Sequence, residues 1–170
     1  MVLETKRLIL REFIIADAPG MFALNNDPTV MRFTGDRPFE SVETARNFLK
    51  NYTAHQKYGF GRWAVLTKAN KKFIGWCGLK RNEEDQVDIG FRFFRKEWNK
   101  GYATESANAC LHYGFEKLDL TEIVGRAHKE NTASIRVLEK IGMTYWKAQE
   151  VEGMREAVYY RISKTPFSRV

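Results

Sequence analysis

The sequence predicts an α/β fold, a mixed sheet covered by helices on both faces. Strand patterns of period two alternate with helical patterns of period 3.6 along the chain. The 170 residues are 44% hydrophobic and 14% aromatic, which is enough for a substantial core. Since no repeat, low-complexity tract or linker interrupts them, we expect one domain over residues 1–170.

The first half of the chain predicts a strand, two helices and a strand meander. Arg7 to Phe13 alternates as a first strand. Asp17 is placed to cap a helix through Asn25, and Ser41 to cap a second that runs to about His55. Period-two segments separated by polar turns then predict three strands, at residues 62–68, 72–80 and 87–94.

The second half predicts two more helices and three more strands. A helix from about Thr104 carries one apolar face, formed by Ala107, Cys110, Leu111, Gly114, Phe115 and Leu118. Asn131 or Thr132 caps the next helix, which ends at Gly142. Strands are expected at residues 122–128, 144–150 and 157–163. The resulting order, βααβββαβαββ, gives about seven strands.

Composition excludes several classes of protein. The net charge is +7, yet Lys and Arg are spread along the chain without a basic tail, so a small polyanionic ligand accounts for them better than nucleic acid. No run of about 18 apolar residues is present, and MVLETKRLIL places charges where a signal peptide is apolar, so we expect a cytoplasmic protein without membrane partners. Cys77, Cys110 and three histidines show no metal-ligand spacing, so no metal is expected.

A glycine turn joins the strand at residues 87–94 to the helix that follows. Asn99-Lys100-Gly101 lets the backbone approach a ligand, and the helix start offers unpaired N–H groups beside it. This arrangement suits a pyrophosphate. The alternative is an ordinary strand–turn–helix junction that binds nothing.

The residues around this turn resemble the acetyl-coenzyme A signature of the GNAT acetyltransferases, a Q/R-x-x-G-x-G/A turn. In the branch of ribosomal-protein N-terminal acetyltransferases, the sequence of this turn is often W-G-K-G-Y-A-T-E. Here it reads Trp98-Asn99-Lys100-Gly101-Tyr102-Ala103-Thr104-Glu105. Trp98 fills the Q/R position, and Asn99 replaces a frequent glycine. Because Asn tolerates unusual backbone angles, we expect the turn to be intact.

A second segment resembles the family's other signature, N-x-x-S-x-x-[VL]-[LY]-[EK]-K-[LI]-G-[FM]. It is Asn131-Thr132-Ala133-Ser134-Ile135-Arg136-Val137-Leu138-Glu139-Lys140-Ile141-Gly142-Met143. With the opening RLILREF, the resemblance covers residues 7–163. It implies a GNAT fold in which the fourth and fifth strands splay apart into a V-shaped cleft.

The resemblance implies acetyl-CoA as co-substrate. Backbone N–H groups of the turn would hold its pyrophosphate, and the edge of the splayed strand would pair with pantetheine. The expected contacts are Phe91, Arg92, Phe93, Trp98, Asn99, Lys100, Gly101, Tyr102, Ala103, Thr104, Asn131 and Ser134. Some of these residues have an alternative role that does not involve the ligand. Lys100 could be a solvated lysine, Phe91 and Phe93 could be core residues, and Asn131 could be a helix cap.

Three residues are candidates for catalysis. Asp88 matches an acidic position on the splayed strand and is the candidate base for the amine, since an acid among apolar strand residues is either paired or functional. Its alternative role is a salt bridge to Arg92 or a neighbouring strand. Ser134 is favoured over Tyr145 as donor to the leaving sulfur. The alternative for Ser134 is that its hydroxyl forms a hydrogen bond to the helix backbone, as serines in a first turn often do. Glu105, at the start of the helix, is expected to interact with the helix dipole rather than to act in catalysis.

Acetyl transfer to a primary amine is therefore the expected activity. The branch suggests a protein N-terminus as acceptor; a polyamine, an amino acid or an aminoglycoside is the alternative, and a non-catalytic acyl-CoA-binding module is the other class. The positive charge argues mildly against a strongly cationic acceptor. The acidic cluster Glu83, Glu84 and Asp85 is expected to be a solvated hairpin tip. The family resemblance also allows a homodimer.

Overall fold

An eight-stranded mixed sheet forms the centre of the computed structural model, which describes residues 2–151 and 153–167, with the backbone alone at residues 166 and 167. The strands lie in the order β1-β2-β3-β4-β5-β6-β8-β7. All neighbours are antiparallel except β5 and β6, which are parallel. Their bounds are β1 Leu3–Glu4, β2 Leu8–Arg11, β3 Arg62–Thr67, β4 Phe73–Arg81, β5 Val87–Phe93, β6 Glu122–His128, β7 Thr144–Val151 and β8 Met154–Ser163.

The described residues also form seven α-helices: α1 Ala18–Asn25, α2 Pro28–Met31, α3 Val42–Lys50, α4 Ala54–Tyr58, α5 Tyr102–Glu116, α6 Thr132–Lys140 and α7 Lys164–Phe167. The predicted caps of α3 and α6 are confirmed. The Ser41 hydroxyl accepts from the Thr44 N–H at 3.1 Å, and the Asn131 side-chain oxygen accepts from the Ser134 N–H at 3.2 Å. Gly142, just past α6, has the expected positive φ of 91°.

Helices cover both faces of the sheet, as predicted. On one face, α5 and α6 bury a large core with the strands, which includes Ile89, Cys110, Phe115 and Leu138. On the other face, α1, α2 and α3 form a second core against the aromatic side chains Phe73 and Trp76 of β4. Successive residues of a strand point to opposite faces. Cys77 accordingly faces the α5 side, while its neighbour Trp76 faces the α1 side.

Several boundaries differ from the predictions. A two-residue strand, β1, precedes the predicted first strand and pairs Leu3 with Leu10; it is too short to show a period. The helix predicted from Ser41 to about His55 is two helices, α3 and α4. Asp17 does not cap α1 with its side chain, because both of its oxygens bind Arg11 at 2.7 Å. No helix of the described residues is long and apolar enough to cross a membrane.

Candidate active site

The parallel strands β5 and β6 separate soon after they begin to pair. Asp88 pairs with Val124 and Ile89 with Gly125, but neither strand pairs with the other beyond that point. Both strands nevertheless continue, β5 to Phe93 and β6 to His128. The predicted V-shaped cleft is therefore confirmed, and it opens from Gly90 onward.

The β5 edge that faces this cleft carries free backbone groups. The Phe94 N–H donates to the Ile74 carbonyl of β4 at 3.1 Å, and in antiparallel pairs alternate residues point to the same neighbour. Arg92 therefore directs its backbone toward β4, whereas Phe91 and Phe93 direct theirs toward the cleft. The Phe93 carbonyl accepts from the Trp98 indole N–H at 2.9 Å. This leaves the Phe91 N–H and carbonyl at the open edge, where an extended ligand can pair with them.

The turn after β5 exposes a row of backbone donors. Asn99 and Gly101 have φ of 60° and 78°, which asparagine and glycine adopt most readily. α5 begins at Tyr102, two residues before the predicted start, with Gly101 as its N-cap. Among the described residues, the amides of residues 99–104 have no backbone acceptor, as expected for a helix start. A Cβ placed on Gly101 would have one close neighbour, the Arg7 guanidinium at 3.4 Å. The space next to Gly101 is therefore open to a ligand.

Arg7, which is not among the predicted site residues, stabilises this turn. Its guanidinium donates to the Lys100 carbonyl at 2.9 Å and to Glu105 at 2.7 Å, and lies 4.6 Å from the centre of the Tyr102 ring. Glu105 also accepts from the Thr5 hydroxyl at 2.6 Å. Burial raises the pKa of Glu105, but the hydrogen bonds from Thr5 and Arg7 outweigh it and lower this pKa overall. Glu105 therefore fastens α5 to the β1–β2 turn.

Lys100 is not simply solvated. Its ammonium donates to the buried Glu97 carboxylate at 2.8 Å, and Lys72 lies 3.9 Å from the same carboxylate. Both lysine side chains are about half exposed. Two cations share one carboxylate here, so the surface next to the turn keeps a positive charge that attracts phosphate.

Asp88 on β5 forms a buried ion pair with Arg62 on β3, and β4 lies between these two strands. Arg62 donates through one terminal nitrogen to Asp88 at 2.8 Å and through the other to the Gly78 carbonyl at 2.6 Å. The side chains of Arg62 and Asp88 are 15% and 4% exposed. A Cβ on Gly90 would lie 2.6 Å from the guanidinium, so glycine makes room for it. The salt-bridge alternative is therefore present, although its partner is not Arg92, which binds Asn25 at 2.8 Å.

Two side chains of the α3–α4 region hold the Arg62 backbone. The Arg62 N–H donates to the Tyr52 hydroxyl at 2.7 Å, and the His55 ring lies 3.1 Å from the Arg62 carbonyl. Burial raises the pKa of Tyr52 and lowers that of His55, which favours the neutral form of both. The position of Asp88 therefore depends on α3 and α4 as well as on the sheet.

Ser134 and Tyr145 lie in different surroundings. Ser134 occupies the first turn of α6, beyond the open end of β6, and among the described residues its hydroxyl has no hydrogen-bond partner. Tyr145 is 58% exposed and packs edge-on against Tyr160. Two strands, β6 and β8, lie between its strand β7 and the cleft. The position of Ser134 fits a donor to the sulfur better.

The acidic hairpin tip is exposed, as expected, but two of its carboxylates also bind side chains of other strands. Glu83 accepts from Arg126 at 2.6 Å, and Glu84 accepts from Gln149 at 2.6 Å, so the β4–β5 turn is tied to β6 and β7. Asp85 is the most exposed of the three, with 86% of its side chain accessible beside Arg81. Among the described residues, no three His, Cys, Asp or Glu side chains are grouped to hold a metal ion.

Residues 7–144 match the family model described as "Acetyltransferase (GNAT) domain". The chain is 36% identical to the Bacillus subtilis protein YkkB over 95% of both chains, and 31% identical to the Bacillus licheniformis N-acetyltransferase p20 over 82% of this chain and 80% of p20. It is 25% identical to the spermidine N(1)-acetyltransferase of Escherichia coli K12, over 79% and 72%. A solved GNAT acetyltransferase from Bacillus anthracis superposes with a TM-score of 0.81 at 31% identity, over 97% and 99%.

Proposed function

The chain belongs to the GNAT acetyltransferase family and is an acyltransferase, and we propose that it transfers an acetyl group from acetyl-CoA to a primary amine by direct attack in a ternary complex. The observation that supports this most is the cleft between β5 and β6, which joins an open strand edge to a turn of free backbone donors. The first suits an amide-containing arm, and the second suits a pyrophosphate.

The residues present fit acetyl-CoA along the length of the cleft. The amides of residues 99–104 and the α5 dipole would hold the pyrophosphate, with Lys100 adding charge at one side. The Phe91 N–H and carbonyl would pair with the pantetheine amides, and the free side-chain nitrogen of Asn131 would donate to the same arm. Trp98 and Tyr102 frame the turn. Acetyl-CoA supplies an acetyl thioester, whose C–S bond breaks as the amide C–N bond forms.

Asp88 would receive the proton of the acceptor amine, directly or through one water. An alkyl ammonium has a pKa near 10 and an α-ammonium near 8, so the amine must lose a proton before it attacks. One Asp88 oxygen binds Arg62, and the other has no hydrogen-bond partner among the described residues. The competing role is structural: the Arg62–Asp88 pair fastens three strands and takes no part in proton transfer.

Ser134 would assist the leaving sulfur. Its uncommitted hydroxyl lies at the start of α6, next to the open end of the cleft, where it can donate to a thiolate. Tyr145 is the second candidate, but it lies two strands from the cleft. The thiolate gains its proton from water, directly or through this hydroxyl, which recovers a proton from water at once, and Asp88 releases the amine proton to water.

The acceptor is either the α-amine of a protein N-terminus or a small amine. The first follows from the resemblance of residues 98–105 to the ribosomal-protein branch, and the second has support from the Escherichia coli relative named a spermidine acetyltransferase. The fold serves many acceptors, so the acceptor must be measured. The test is acetyl-CoA-dependent thiol release with short peptides, polyamines, amino acids and aminoglycosides. Release with at least one amine supports the proposal. Binding of acetyl-CoA without release would favour a non-catalytic binding module.

A further inference from the structure

Arg126 lies beside the cleft on the face of the sheet that carries Asp88. Val124 pairs with Asp88, and Arg126 is two residues nearer the open end of β6, so its side chain shares that face. Its neighbours Ile123 and Ala127 point to the opposite face and are buried in the α5 core. The Arg126 side chain is 26% exposed, so part of it is accessible to a bound molecule.

We propose that Arg126 binds a carboxylate of the acceptor that lies close to its reacting amine. This inference rests on the proposed function and specifies its substrate class: an amine with a neighbouring carboxylate, in preference to a polyamine. The guanidinium offers planar donors that match a carboxylate. The acceptor that carries this carboxylate would be an amino acid or a peptide whose first residues are acidic.

The present partner of Arg126 is one that an acceptor can replace. One terminal nitrogen donates to Glu83 at 2.6 Å, and Glu83 is 57% exposed in the turn between β4 and β5. Because Glu83 is largely exposed, its release to water costs little, and another carboxylate can take its place at the guanidinium. Burial lowers the pKa of Arg126, but the hydrogen bonds of Glu83 and Tyr159 raise it overall, so this cation persists at every working pH.

Two further carboxylates on this side of the sheet already bind arginines. Asp88 binds Arg62 at 2.8 Å, and Asp36 binds Arg92 at 2.6 Å. A polyamine would lie next to three guanidinium groups, whose positive charge opposes the binding of a polycation. An acceptor with one carboxylate and one amine instead matches Arg126 and the uncommitted oxygen of Asp88.

The test compares matched acceptors with wild-type and variant enzymes. Each free amino acid is compared with its amide. Each peptide with an acidic second residue is compared with a peptide whose second residue is neutral. Spermidine represents a polycationic acceptor. We expect wild-type kcat/KM to favour the carboxylate member of at least one pair by about tenfold or more. Arg126→Gln should bring that ratio close to one. Glu83→Gln should raise kcat/KM for the carboxylate member, because it removes a competitor.

Arg81→Gln is the control, since Arg81 makes a similar 2.8 Å pair with Asp85 in the same hairpin. It should leave the ratio unchanged. Preference for spermidine or for the neutral members, or a ratio that Arg126→Gln does not alter, would overturn the inference while leaving acetyl transfer intact. No thiol release with any amine would contradict the proposed function itself, and the inference with it. The pair that responds identifies the source of the carboxylate.

Discussion

Arg62 reaches across β4 and donates a 2.8 Å hydrogen bond to Asp88 on β5. A backbone carbonyl and a glycine make this possible. The guanidinium donates to the carbonyl of Gly78 and lies over the Cα of Gly90, where any side chain would collide with it. A carboxylate held in this way has a fixed position next to the start of the cleft, which is what a proton acceptor needs and what a structural ion pair also provides.

Replacement of Asp88 separates these two roles. If Asp88 accepts the amine proton, Asp88→Asn should lower kcat by on the order of 100-fold, with acetyl-CoA affinity retained. The loss should be smaller at high pH, where more of the free amine is present. Steady-state kinetics over pH and calorimetric acetyl-CoA titration measure both. A wild-type kcat with lowered melting temperature would leave only the structural role.

Gly90→Ala tests whether the position of the guanidinium matters. A Cβ would lie 2.6 Å from an Arg62 nitrogen, so the side chain must move. We expect about 1–3 kcal/mol lower unfolding free energy and a lower kcat. Arg62→Met should cost more, about 3–5 kcal/mol, because it leaves Asp88 buried without a partner. Denaturant unfolding gives both values. Equal stability of Gly90→Ala and wild type would refute this geometry.

Gly101→Ala tests the pyrophosphate turn. Gly101 has a φ of 78°, which costs alanine about 1 kcal/mol or more, so the turn should shift and KM for acetyl-CoA should rise. Gly59→Ala is a matched control, with a φ of 76° at the end of α4 and nothing within 4 Å of its Cβ. Both variants should lose similar stability, but only the first should bind acetyl-CoA more weakly. Equal KM values would argue against the assignment of the turn.

Ser134→Ala tests the assisted departure of the sulfur. We expect kcat to fall by more than acetyl-CoA binding weakens, because the hydroxyl acts on the leaving group. Tyr145→Phe is the comparison and should have little effect, since β6 and β8 lie between its strand and the cleft. Presteady-state thiol release distinguishes the two. The reverse pattern would assign the role to Tyr145.

The Glu105 network predicts a specific pH dependence of stability. The folded pKa of Glu105 is below its usual 4.5, so the carboxylate stabilises the fold fully above that value, and the contribution is lost as pH falls through the lower, folded pKa. The difference in unfolding free energy between wild type and Glu105→Gln should therefore shrink below about pH 4.5. A difference that stays constant over this range would mean that the ion pair contributes nothing.

Local motifs of the site could be predicted from sequence, but its long-range contacts could not. Asn131 as a cap, Gly142 past α6 and the left-handed turn at Gly101 follow from backbone requirements within a few residues. Arg62 lies 26 residues from Asp88, and Arg7 lies 98 from Glu105, so no periodicity points to either pair. The tertiary fold alone brings them together.

The contacts of the exposed hairpin tip with β6 and β7 could not be predicted for a related reason. Glu83 and Glu84 have the composition of an exposed turn, and only the order of β6, β8 and β7 places Arg126 and Gln149 within their reach. Charge along a sequence does not show which strand lies opposite.

Direct acetyl transfer is the central claim, and it is tested with acetyl-CoA that carries an isotopic label in its acetyl group. The enzyme is incubated with this label, first alone and then with an amine that supports thiol release, and all products are identified by mass spectrometry. We expect unmodified enzyme in the first case and a labelled N-acetyl amide, equal in amount to the free thiol, in the second. A labelled enzyme without acceptor, or free thiol with no acetylated amine, would contradict direct transfer.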